Sequence, residues 1–173
     1  GKMPLVGGLY YLLMIGEVPT KDEAQEVEAE WAKRAIVPDY VYKMLKTMPK
    51  ETHPMTLFSQ AVLALQNGSV FASKYHTMKK DVYWEAALED SLDLTAKLPV
   101  IAAYIYRMKY FGETAKPKYN PKLDYGANFS KMMKVSDKKG YSELARLYFI
   151  LHSDHEAGNV SAHTMHLVGS ALS

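Results

Sequence analysis

The chain contains no cysteine among its 173 residues. That excludes a disulfide framework and any zinc site built on thiolates. It also lacks a long apolar run. The longest, Leu98 to Tyr106, falls well short of the ~18 residues that a membrane-spanning helix needs, so no membrane insertion is expected. Charge of one sign is scarce too. With 21 Lys and Arg against 19 Asp and Glu, the net charge is +2, too little to point to nucleic acid or a charged membrane surface. No basic stretch leads into an apolar region with a cleavage site, so any targeting peptide is expected upstream of Gly1. GxGxxG, P-loop and GxSxG patterns are missing, as are internal repeats and low-complexity segments.

Apolar residues make up 48% and charged residues 23%, enough for one packed domain and too apolar for disorder. No period-2 stretch of useful length occurs, and the apolar spacing is helical from end to end. The class is all-α, a multi-helical bundle. Leu5 to Ile15 reads as a short buried helix stopped by Gly16 and Pro19. Thr20 to Glu23 has the pattern of a capping box, opening a helix with Ala24, Val27, Trp31 and Ala35 on one face. The acidic run from Asp22 to Glu30 reads as the solvated side of that helix. Pro38 starts another, Asp39 to Thr47. His53-Pro54 opens the next, with Leu57, Ala61, Ala64 and Leu65 inward, and Asn67-Gly68 ends it. Ser69 caps a short one running to about Thr77. The longest element is expected from Asp81 to Phe111, kinked at Pro99 because the ring clashes with the preceding turn. Residues 113–123, with Pro117 and Pro121, read as a loop. Helices then follow over Asp124–Met133, Ser136–His152 and Asn159–Leu172. Both ends of the chain fall close to or within apolar patterns, so a longer polypeptide is expected.

Four of the six histidines lie between His152 and His166, together with Asp154, Glu156 and Asn159. A polar turn entering a helix N-terminus is a ready anion site, because the first amides are unpaired and the helix dipole favours negative charge. A His beside it can donate to a carboxylate or carbonyl oxygen. The residues therefore suggest a small anionic ligand near His155 and Asn159. Plainer roles stand beside this one: Asn159 as a helix cap, and His152 as a hydrogen-bonded structural side chain. His163 and His166 share a helical face, but paired histidines without an HExxH pattern do not make a metal site, and no metal is expected.

The unbroken run His152-Ser153-Asp154-His155-Glu156-Ala157-Gly158-Asn159-Val160-Ser161-Ala162-His163-Thr164, continued by His166 to Ser173, resembles the citrate synthase signature in its eukaryotic mitochondrial form. Glu30 to Ala35, His53-Pro54-Met55, Tyr83-Trp84-Glu85, Lys97-Leu98-Pro99 and Ile105-Tyr106-Arg107 resemble the same family, so the likeness covers essentially the whole chain.

The resemblance implies an acyltransferase that converts the acyl group to alkyl on transfer. It condenses acetyl-CoA with oxaloacetate and water to give citrate and CoA, with acetyl-CoA as substrate and no further cofactor. It implies a mitochondrial matrix enzyme whose large helical domain is only partly present in 1–173, without its N-terminal part, its C-terminal part or the small domain. His155 matches the residue that contacts the oxaloacetate or citrate carboxylates, and Asn159 a neighbour in the same pocket. Ser161 matches a residue supporting the active site. Lys80 aligns with an Arg that reaches a CoA phosphate on the partner subunit; Lys keeps the charge but loses the fork geometry. Where the family has Gly-Gly, this chain has Ala157-Gly158. The base Asp and both catalytic His of the family match positions beyond Ser173, so no catalytic residue lies in the fragment and 1–173 alone is expected to be inactive. Helices 54–66 and 81–111 resemble the pair that forms the family's homodimer interface. The contrasting expectation is a non-catalytic structural or interaction module derived from the same fold.

Overall fold

The computed structural model describes residues 3–136, 139–153, 163–164 and 167–168. Among them there is no strand, and the helices run in the order α1 Val6–Ile15, α2 Lys21–Arg34, α3 Asp39–Thr47, α4 Pro54–Ala64, α5 Val70–Lys74, α6 Tyr83–Phe111, α7 Tyr125–Met133 and α8 Lys139–Leu151. The all-α expectation holds.

Local sequence explains most boundaries. The Thr20 hydroxyl accepts from the Glu23 amide, and the Glu23 carboxylate accepts from the Thr20 amide, so the capping box that opens α2 is complete. The His53 ring accepts from the Met55 amide at 3.1 Å, and Pro54 takes the first position of α4, where its missing amide costs nothing. Asp124 caps α7 by accepting from Ala127. Other boundaries differ. Residues Leu65–Gly68 form a 3-10 turn after α4, and α5 stops at Lys74 because the Thr77 and Met78 amides both turn back to the Lys74 carbonyl. Lys80–Val82 is a 3-10 turn leading into α6. Helix α1 is not buried along its length: Val6 and Gly7 are covered, whereas Leu13, Met14 and Ile15 are exposed. Its packing on α2 comes from the first two turns, where Gly7 meets Ala24, the Tyr10 ring meets Trp31 and the Tyr11 hydroxyl donates to Glu23 at 2.9 Å. A Cβ on Gly7 would lie 2.9 Å from the Ala24 carbonyl oxygen, so only glycine allows this approach.

Helix α6 is the axis of the domain. At ~1.5 Å per residue its 29 residues span roughly 44 Å. Its second half supplies the centre of the core through Ala96, Val100, Ile101, Ala103, Tyr104 and Ile105. Trp31 and Leu45, Leu57 and Ala61 pack into the same cluster from α2, α3 and α4. Trp31 is completely buried and stands between two rings, with centroids 5.2 Å from Tyr10 and 4.7 Å from Tyr125. Pro99 lies inside α6 without ending it, and the helix runs on from Tyr83 to Phe111.

Candidate functional site

The two residues with which the sequence places the ligand, His155 and Asn159, lie outside the described residues, as do Ser161 and His166. What the structure supplies is the platform from which that segment departs. Helix α8 ends at Leu151, and His152 follows. The His152 ring stacks on Tyr148, centroids 4.0 Å apart, and its Nδ1 lies 2.9 Å from the Tyr148 carbonyl. A carbonyl only accepts, so Nδ1 carries a proton and donates to it. His152 is therefore a hydrogen-bonded helix terminus, as the sequence suggested.

The direction of α8 is set two turns earlier. Arg146 donates to both carboxylate oxygens of Asp124, Nε to Oδ1 at 2.9 Å and a terminal nitrogen to Oδ2 at 2.7 Å. This bidentate geometry fixes rotation as well as distance. Arg146 precedes His152 by six residues, or ~9 Å of helix. The backbone of α7 comes so close to α8 that a Cβ on Gly126 would lie 2.6 Å from Arg146 Cγ and 3.1 Å from its amide nitrogen. Phe149 locks the pair from the other side, 5.2 Å from both Tyr125 and Phe129.

Beneath this pair is a charge that the sequence reading assigned to a solvated face. Glu28 is buried. Its Oε1 accepts from the Gly7 amide at 3.0 Å and its Oε2 from the Tyr125 amide at 2.6 Å. Gly7 is in the first turn of α1 and Tyr125 opens α7, so one carboxylate caps two helices at their positive ends. Burial pushes the Glu28 carboxyl above the usual carboxylate range, against the two amides that pull it down. Burial also acts upward on Asp124, but the Arg146 guanidinium and the Ala127 amide outweigh it and hold that carboxyl below its ordinary value. The signal for Glu28 was present: it lies four residues after Ala24 and three before Trp31, on the buried face. Spacing placed it inward; its charge argued the reverse.

A second polar network joins α2 to α6. Arg34 donates to Glu30 at 2.7 Å, Glu89 at 2.7 Å and Asp93 at 3.2 Å, and Asp93 also accepts from Lys97. The bond to Glu89 is the main influence that raises the Arg34 guanidinium further above its ordinary range. Lys80, the other sequence-chosen residue, is exposed on the 3-10 turn before α6. His163 is exposed at a helical position. Among the described residues no group of three or more His, Asp or Glu is arranged to hold a metal ion, and no helix is long and apolar enough to cross a membrane. A cleft of about 500 Å³ between the end of α3 and the end of α6 is lined by Lys46, Lys50, Lys109 and Thr114 with Met48, Leu57 and Met108, and its lining holds no carboxylate.

Residues 6–173 match the family model described as citrate synthase, C-terminal domain. The chain is 51% identical over its whole length to a probable mitochondrial citrate synthase of Glossina morsitans morsitans, covering 37% of that protein. It is 49% identical to the mitochondrial citrate synthase 4 of Arabidopsis thaliana, covering 36%. The crystal structure of citrate synthase from Pyrobaculum aerophilum superposes with a TM-score of 0.81 at 28% identity, over 99% of this chain and 42% of that one. The chain thus spans little more than a third of the curated relatives it matches.

Proposed function

The chain belongs to the citrate synthase family, and we propose that it is part of an enzyme condensing acetyl-CoA with oxaloacetate and water to citrate and CoA. The observation that supports this is the whole-length identity to citrate synthases, together with the unbroken His152 to Thr164 segment. In this reading His155 and Asn159 hold the carboxylates of oxaloacetate or citrate. Ser161 supports the active site and Lys80 meets a phosphate of CoA. Deprotonating the acetyl methyl needs a base together with a hydrogen-bond donor on the thioester carbonyl. Those groups match family positions beyond Ser173, so 1–173 contributes binding and not chemistry. The relatives named mitochondrial suggest a mitochondrial enzyme, and the matrix is the compartment proposed.

The same reading gives α4 and α6 a homodimer role. Met55 and Leu63 on α4, and Trp84, Tyr110 and Phe111 on α6, are large apolar side chains more than half exposed. Such surface is what a buried interface would cover. The test is CoA thiol release by the longer protein carrying this chain, with both substrates present. Turnover is expected there and not from 1–173, and His155→Ala should raise the oxaloacetate KM. A longer protein that releases no CoA would leave the non-catalytic module as the better account.

A further inference from the structure

We propose that Asp90 is a positioning residue, which holds the loop bearing Lys80 in shape by capping α5 from the side of α6. Helix α5 has only five residues, far below the length at which a helix is stable by itself. Its first three amides are nevertheless satisfied. Asp90 accepts from Val70 at 2.7 Å and from Phe71 at 3.1 Å. The third amide, of Ala72, donates to the Ser69 hydroxyl at 2.9 Å. That hydroxyl in turn donates to Asp90 at 2.5 Å, which points its lone pair at Ala72. A single half-buried carboxylate therefore organises the whole N-terminus of α5, directly or through Ser69.

The consequence reaches Lys80 through the loop. Residues 69–83 leave α6 at Asp90 and rejoin it at Tyr83, so both ends of the loop are held by one helix. Its own rings fill it: Phe71 lies 5.2 Å from Tyr83, and Tyr75 lies 5.7 Å from both. A loop closed at its ends and packed by its own side chains moves as a unit. Lys79 and Lys80 are exposed on it, Lys79 immediately before the 3-10 turn and Lys80 at its first position. Loss of the Asp90 cap would free α5 and the aromatic cluster, and with them the orientation of the two ammonium groups.

The functional half of this inference rests on the proposed contact of Lys80 with CoA, so the experiment separates the two. In the longer enzyme, Asp90→Asn keeps the shape but turns an amide donor toward either the Val70 or the Phe71 amide. The expected result is about tenfold faster amide exchange at whichever of Val70 and Phe71 faces that donor, the scale of a lost hydrogen bond to a charged acceptor. The acetyl-CoA KM should rise about fivefold while kcat and the oxaloacetate KM stay within about twofold. Asp90→Glu should recover part of both. Ser69→Ala, a milder change, should speed Ala72 exchange about fivefold, the scale of a lost cap. Unchanged exchange at both Val70 and Phe71 in Asp90→Asn, and at Ala72 in Ser69→Ala, overturns the anchor. Faster exchange with an unchanged acetyl-CoA KM, in an enzyme where Lys80→Met raises that KM, overturns the positioning role. If Lys80→Met leaves the KM unchanged, the CoA reading of Lys80 has failed, and the exchange data alone decide whether Asp90 is the anchor.

Discussion

The Tyr125 hydroxyl donates at 2.8 Å to the Thr95 carbonyl, the acceptor that Pro99 deprives of its helical amide donor. A proline inside α6 frees one carbonyl four residues earlier, and α7 brings a hydroxyl to it. The freed carbonyl is thus satisfied, and α6 continues through Pro99. The bond also makes the packing of α7 on α6 specific, since only one register of α7 delivers the hydroxyl.

The relationship predicts a coupling. Tyr125→Phe keeps the ring against Trp31 and Phe149 but leaves the Thr95 carbonyl unsatisfied, at a cost of about 1–3 kcal/mol. In a Pro99→Ala background the amide returns and the same change should cost under about 1 kcal/mol. Denaturant midpoints of the four proteins measure the difference; an equal cost in both backgrounds would count against the pairing.

Glu28→Ala removes the acceptor shared by the Gly7 and Tyr125 amides. Two buried donors lose their partner, and a loss of about 3 kcal/mol is expected. Glu26→Ala, on the exposed face of the same helix, should stay within about 0.5 kcal/mol. Thermal unfolding of both variants tests the contrast, and equal effects would return Glu28 to an ordinary surface role.

The Asp124–Arg146 pair predicts the sign of a pH dependence. The Asp124 carboxyl is held below its ordinary value in the folded chain. Its contribution is therefore fully present above the ordinary carboxylate pKa of ~3.9, and is lost as pH falls through the lower folded value. Asp124→Asn should lower stability near neutral pH and flatten the acid limb of the stability curve. An acid limb as steep in Asp124→Asn as in the parent would contradict the assignment.

Glycines at the two ends of this helix pair should respond in opposite directions. Gly126→Ala forces a Cβ against Arg146, and overpacking of this kind costs about 1–3 kcal/mol. Gly140 has open space where its Cβ would be, within the first turn of α8, so Gly140→Ala should stabilise by about 0.5–1 kcal/mol. Equilibrium unfolding of the two variants gives the signs directly.

The sequence by itself determined the helical class, the capping box at Thr20, the Pro38 and Pro54 starts, the Asp124 cap and the stop before Gly112. Each of these depends on residues within a turn or so of one another. It also carried the family, because the His152 to Thr164 run is contiguous and chemically unusual. Tertiary structure alone decided the roles that join distant residues. Glu28 meets Tyr125 across 97 positions, Tyr125 meets Thr95 across 30, and Asp90 meets Val70 across 20. A local pattern says which way a side chain faces. It does not say which amide, carbonyl or guanidinium from another helix will be waiting there, and that partner decides whether a charge such as Glu28 can be buried.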